Sequence, residues 1–264
     1  VLAENDGSDL REFIQARLDR AGEHIDEFQR DFESLQQTDR MRLVPQMNVD
    51  KTQISIHVLY RCPHPNRRWG VIVGDIAHDL RSALDNSVYG IALMHTTGFP
   101  LPDNRRLAFP IADTEEDWER EQSRIRTLPE NVRALISDAQ PCHGGNRSLS
   151  LLGHLNDMDK HRLPVVAAAA IAGGNMPTFN DRVGSYPNIT VMKGPAISDA
   201  PVLVFSFAEP QPPNMDVQLT LSLKPFLLHG NQWLPVAETL KEVRGATEST
   251  VDILKPFISQ PVTQ

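Results

Sequence analysis

Cysteine is scarce: Cys62 and Cys142 are the two in a chain of 264 residues. Two thiols cannot make a disulfide scaffold, and a reducing cytoplasm is the expected compartment. No apolar run approaches the roughly 20 residues of a membrane span. The longest, Leu163 to Gly173, is interrupted by Pro164 and rich in alanine, so no membrane partner is expected. The first residues lack a basic region followed by an apolar stretch, and no secretion signal is legible there. Phosphate loops are also missing, because Gly173-Gly174 is not followed by Lys-Ser or Lys-Thr. Ser82 and Ser87 lack the strand-to-helix elbow of a serine hydrolase. Trp69, Trp118 and Trp233 are too scattered to form a base-stacking platform. Positive charge is in deficit. A net charge of −8 argues against broad, salt-driven binding to a polyphosphate backbone, while leaving room for a local basic groove.

What is present is ordinary globular composition, 40% hydrophobic and 23% charged, long enough for one large domain or two small ones. Leu10, Phe13, Ile14, Leu18, Ala21, Ile25, Phe28, Phe32 and Leu35 recur at helical spacing and predict a helix over 8–37, with a solvated charged face. Alternation in Ile54, Ile56 and Val58 predicts a strand to about residue 60, with 42–49 as its hairpin partner. A second long helix is expected from Arg67 to about Thr96. A surface helix should start at Thr114, capped there or at Asp113 with Glu116 or Asp117 reaching back. A short helix carries Val132, Leu135 and Ile136, and another runs from Leu149 to Arg162. Strands are expected at 165–171, 188–192, 202–207 and 217–223, and a closing helix at 234–257. Helices and strands are segregated, which predicts an α+β fold. A bundle of long helices (about 8–37, 67–163 and 234–257) should pack on a mostly antiparallel β-sheet (about 41–60 and 165–223). The early hairpin should join the later strands, making residues 1–264 a single domain.

Two helices carry charge where oil is expected. In the stretch 149–163, Leu151, Leu152, Leu155, Met158 and Leu163 share a side with Asp159 and Arg162, while His154, Asp157 and His161 line one edge at i, i+3 and i+7. In 67–96, His78, Arg81 and Asp85 repeat that spacing at the edge of the apolar side, with Asp75 and Asp79 farther toward solvent. Buried charges need partners, so each helix is expected to answer the other across a polar seam.

The same two stretches resemble a family of uncharacterised bacterial proteins. Gly74 to Asp85 is similar to their GDxxHNLRSALD, with Asp79 where Asn is usual, and Asn156 to Arg162 to their NxxDKHR. Phe109-Pro110-Ile111 and Gln140-Pro141 match in order between them, so the likeness spans about Trp69 to Leu163; it implies no activity. A looser resemblance is to the HEPN superfamily, all-helical proteins that include metal-independent ribonucleases. Asn156 to His161 is similar to the variant of their motif that opens with Asn and places His five residues on. That resemblance implies RNA as partner, no cofactor, a toxin or defence role, and a homodimer across the motif helices.

Three readings of the seam follow. In the ribonuclease reading, His161 is the general acid or base, Arg162 or Arg81 grips the scissile phosphate and Asn156 orients it, with His78 alongside. In the second, the protein is a non-catalytic regulatory or interaction protein and the His/Asp/Arg seam is a structural ion-pair network. In the third, a metal-dependent enzyme uses His78, Asp85, His154, Asp157 and His161, as two His and a carboxylate suit zinc or iron. The usual Glu-x-x-His signature is missing, and Lys160 and Arg162 would oppose a cation. Cys62 with His64 and Cys142 with His143 precede the two motif helices, but their spacing is no known zinc signature, and they read as unrelated loop thiols.

Overall fold

A computed structural model describes residues 8–37, 41–60, 66–95, 106–161, 166–174, 178–179, 187–192, 201–212, 215, 217–218 and 221–258, with backbone alone for some of them, 159–161 included. The fold is α+β. Helices are α1 (Ser8–Gln37), α2 (Asn66–His95), α3 (Glu115–Glu121), α4 (Glu130–Asp138), α5 (Ser148–His161) and α6 (Val236–Leu254), and 3₁₀ turns occupy Gln122–Ile125, Pro141–His143 and Lys255–Ile258. Strands are β1 (Met41–Met47), β2 (Gln53–Tyr60), β3 (Val166–Gly174), β4 (Thr178–Phe179), β5 (Asn188–Val191), β6 (Leu203–Ser206), β7 (Val217–Gln218), β8 (Leu221–His229) and β9 (Gln232–Pro235). Contacts divide the chain into two compact units, neither contiguous in sequence: Val1–Glu27, Val71–Pro164 and Glu238–Gln264 form one, Phe28–Gly70 and Val165–Ala237 the other.

The first unit is helical and is built around α2. Ile72, Val73, Ile76, Ala77, Leu80, Ala83, Leu84, Val88, Ile91 and Ala92 are all buried, a stripe too wide for a helix with one covered face. Each large aliphatic side chain removed from water contributes roughly 1.5–3 kcal/mol. On α1, Ile14, Leu18, Ala21 and Ile25 are buried at helical spacing, as are Leu240, Val243, Thr247 and Leu254 on α6. The wide stripe corrects one expectation. Asp75 is exposed, but Asp79 is 5% exposed and accepts a hydrogen bond from Arg17 Nη1 of α1 at 2.6 Å. A helix covered on more than one side turns a normally solvated angle toward a neighbour, so Arg17 on the charged face of α1 is engaged there.

In the second unit β2 pairs antiparallel with both β1 and β6, and β5 completes the order β1-β2-β6-β5, so the early hairpin does join the later strands. Ile54 opposite Phe205 and Ile56 opposite Leu203 centre a core with Val202, Phe207 and Val217. Two further antiparallel sheets, β3-β8-β9 and β4-β7, complete the described strands. Trp69 is fully buried against Phe28 and Phe32, with ring centroids 5.4 and 5.7 Å away, and its indole N–H donates to Asp31 at 2.9 Å.

The single strand expected over 217–223 is two strands in different sheets, and Leu234, expected to begin the last helix, lies in β9. The placement of Leu234 in β9 follows from a two-residue turn: Gly230 takes a φ of 57° and sets His229 opposite Gln232. Pro225 falls where the β3–β8 register shifts between Ala167 and Ala170, as suits a residue with no N–H for a central ladder.

Candidate functional site

Within the helical unit α2, α3, α5 and the irregular stretch 106–113 enclose a polar cleft of about 430 Å³. From α2 come Arg81 and Asp85; from the irregular stretch Ala108, Phe109, Ile111 and Asp113; from α3 and its 3₁₀ extension Asp117, Arg120, Glu121 and Arg124; from α5 Ser150, Gly153, His154, Asn156 and Asp157. Ser150, Gly153, His154 and Asp157 stand at i, i+3, i+4 and i+7, which is one face of a helix. Gly153 allows α5 to lie close here, since a Cβ there would stand 3.3 Å from Ile111 Cγ2.

The stretch 106–113 has no strand partner among the described residues, yet Phe109, Pro110 and Ala112 are buried. Buried peptide groups must be hydrogen bonded, and side chains do this in place of a ladder. Asp85 Oδ1 accepts from the Phe109 N–H at 2.8 Å, and Arg81 Nη2 donates to the Phe109 carbonyl at 2.5 Å. Arg81 and Asp85 hold each other, Nε to Oδ2 at 3.2 Å and Nη2 to Oδ1 at 3.0 Å. Three residues on, fully buried Gln140 accepts from the Ala112 N–H through Oε1 at 2.9 Å and donates through Nε2 to the Ile136 carbonyl at 2.8 Å. The Cys142 N–H donates to the Ala112 carbonyl at 3.1 Å. The quoted motif residues Arg81, Asp85, Phe109 and Gln140 thus meet in one clamp.

The opposite wall is wet. Thr114 caps α3: its hydroxyl accepts from the Asp117 N–H at 3.1 Å and donates to the Asp117 carboxylate at 2.9 Å. Arg120 reaches Asp117 at 2.6 Å and Glu121 at 3.2 Å, and Arg124 reaches Glu121 at 2.5 Å. The hydrogen bond from Arg120 holds the Asp117 carboxyl below its ordinary value, and the reciprocal bond raises Arg120. Next to the cleft, His143 Nδ1 donates to the Ser137 carbonyl at 2.9 Å, its Nε2 faces Glu115, and its ring meets Trp118 edge-on. The Ser137 carbonyl, then Glu115, raise its basicity. Burial pushes the free Cys142 thiol up, away from the thiolate.

Of the residues singled out from sequence, Arg81, Asp85, His154, Asn156 and Asp157 line the one cleft. His78 is exposed and is not part of that lining. Asp159 and His161 lie in the last turn of α5, where the backbone alone is described, and Arg162, Cys62 and His64 lie outside the described residues. Among the described residues no group of three or more His, Cys, Asp or Glu is arranged to hold a metal ion, and no helix is long and apolar enough to cross a membrane. Sequence reasoning missed the wall formed by Asp113, Asp117, Arg120, Glu121 and Arg124, which reads as any solvated surface helix. It also missed the duty of Gln140, for which the only signal was its place in the Gln-Pro motif. No family model, curated protein or solved structure matches the chain.

Proposed function

We propose that this is a non-catalytic binding protein with a regulatory or interaction role, in which the Arg81–Asp85 part of the seam is scaffold for a polar cleft. One observation carries the reading: both side chains are committed to the two peptide groups of Phe109. Catalysis of phosphoryl chemistry needs donors aimed at a reacting phosphate, and Arg81 is turned to a carbonyl instead. The test is a double-mutant cycle. Arg81→Ala and Asp85→Ala should each lower the melting temperature, and the double variant should fall short of their sum, because the two act as a unit. Full retention of stability in either single variant would refute the scaffold role.

A second reading is favoured by Asn156. It lies in the cleft lining at 6% exposure, five residues before His161, as the HEPN resemblance implies for a metal-independent ribonuclease. That reading predicts EDTA-resistant cleavage of single-stranded RNA, lost in His161→Ala with the fold intact. The carboxylates along the cleft oppose it, since they repel a polyanion.

A further inference from the structure

We infer that α3 is a hinged wall of the cleft, held shut by the protonated His143 ring and released as pH rises. The inference rests on the binding-protein reading above and names a way of regulating that site. Burial is the first argument. Ala112 and Ile125 are buried, but no residue from Asp113 to Arg124 between them is. The segment is pinned at both ends and adds nothing to the core, as suits an element that opens locally at small cost. It nonetheless supplies Asp113, Asp117, Arg120, Glu121 and Arg124 to the cleft lining, so its movement changes the width of the cleft.

Tethering is the second and independent argument. Among the described residues, the hydrogen bonds, ion pairs and ring contacts by which α3 side chains reach beyond 114–124 all end on His143. Glu115 stands 3.2 Å from its Nε2, and the Trp118 ring centroid lies 5.3 Å from that of the imidazole. On the other side Nδ1 donates to the Ser137 carbonyl at the end of α4, at 2.9 Å. The ring therefore stands between two acceptors. A neutral imidazole has one N–H, so either tautomer turns a lone pair on the carbonyl or on the carboxylate, and the imidazolium alone serves both. The Ser137 hydroxyl, 3.0 Å from Nδ1, can donate to the tautomer protonated at Nε2 and offsets part of that loss. The charges facing the ring are Glu115 from α3 and Asp138 from α4, and Asp113 from the irregular stretch acts on the adjoining Cys142. All three are carboxylates, and all favour the charged ring. The Ser137 carbonyl, then Glu115, hold its folded pKa above the ordinary 6.5. The latch is thus complete below the ordinary value and is lost as pH rises through the raised one.

The experiment is fluorine NMR of the full chain labelled with 5-fluorotryptophan, reading the water-to-deuterium-oxide shift of Trp118 as its solvent exposure across the imidazole range. Trp118→Phe assigns the signal, and Trp69 and Trp233 serve as internal references. Trp118 is expected to become more exposed as pH rises, with a midpoint above the ordinary histidine value, while the references stay level. Because the Glu115 side chain is 68% exposed, the open population should rise only about threefold. In Glu115→Gln the midpoint should fall toward the ordinary value, and in His143→Gln the exposure should be high at every pH. Both residues are exposed, so both variants should keep the fold. A Trp118 exposure that ignores pH in the parent, or a pH response that persists in His143→Gln, overturns the inference. The two proposals separate cleanly. A level Trp118 alongside an intact Arg81–Asp85 coupling removes the hinged wall alone, whereas a pH response without that coupling removes the scaffold role alone.

Discussion

Arg81 and Arg120 line the same cleft, and each pairs with a carboxylate one helical turn away on its own helix, yet they do different work. The Arg81 side chain is 14% exposed and its second partner is a buried peptide carbonyl. The Arg120 side chain is 65% exposed and both its partners are side-chain carboxylates, with no peptide group among them. The lesson is that spacing alone does not define an ion pair's role. What decides is whether the pair also satisfies a backbone group that water cannot reach.

Substitutions can break or sharpen that contrast. The largest effect is expected from Arg81→Ala, which leaves the Phe109 carbonyl and the Asp85 carboxylate without their partner and should cost about 3 kcal/mol in urea unfolding. Arg120→Ala, measured in parallel, should be indistinguishable from the parent. If the two variants unfold alike, the contrast is lost. Gln140→Leu keeps the volume but strips the Ala112 N–H and the Ile136 carbonyl of their side-chain partner. It should cost about 2 kcal/mol, and a neutral result would mean that water replaces the amide. On the wet wall, Thr114→Ala removes the cap of α3 and should cost about 1 kcal/mol by the same measurement.

The smallest effect is a dependence on pH. His143 has its folded pKa raised above the ordinary 6.5 by the Ser137 carbonyl and Glu115. The protonated ring therefore stabilises the fold fully below the unfolded value, and that contribution is lost as pH rises through the raised folded value. The stability difference between the parent and His143→Gln should shrink in that direction across the imidazole range. A difference that grows with pH would contradict the assignment.

Local patterns were the legible part of this chain. The bounds of α1, the capping box at Thr114 and the pairing of residues 53–60 into a sheet with later strands follow from spacing and side-chain chemistry within a few residues. Asp79 was not legible, because its burial depends on α1 covering an angle of α2 that a single-faced helix leaves open. Strand β9 was missed although Gly230-Asn231 is a hairpin signal, since Leu234 and Val236 also fit the helical period of the following segment. At the cleft, Arg81 and Asp85 stand out as charges on an oily edge, but their target is a peptide group, and peptide groups have no signature in a sequence. The Asp117–Arg120–Glu121 wall carries a pattern common to countless exposed helices.

The clamp on Phe109 has one more consequence. Along a strand, sliding by one residue exchanges one N–H for another, and the hydrogen bonds survive. Here the neighbour on the C-terminal side is Pro110, which has no N–H to offer the Asp85 carboxylate. A slip of the stretch in that direction would leave the acid facing a ring, so the position of this irregular segment is locked by the chemistry of a single adjacent residue.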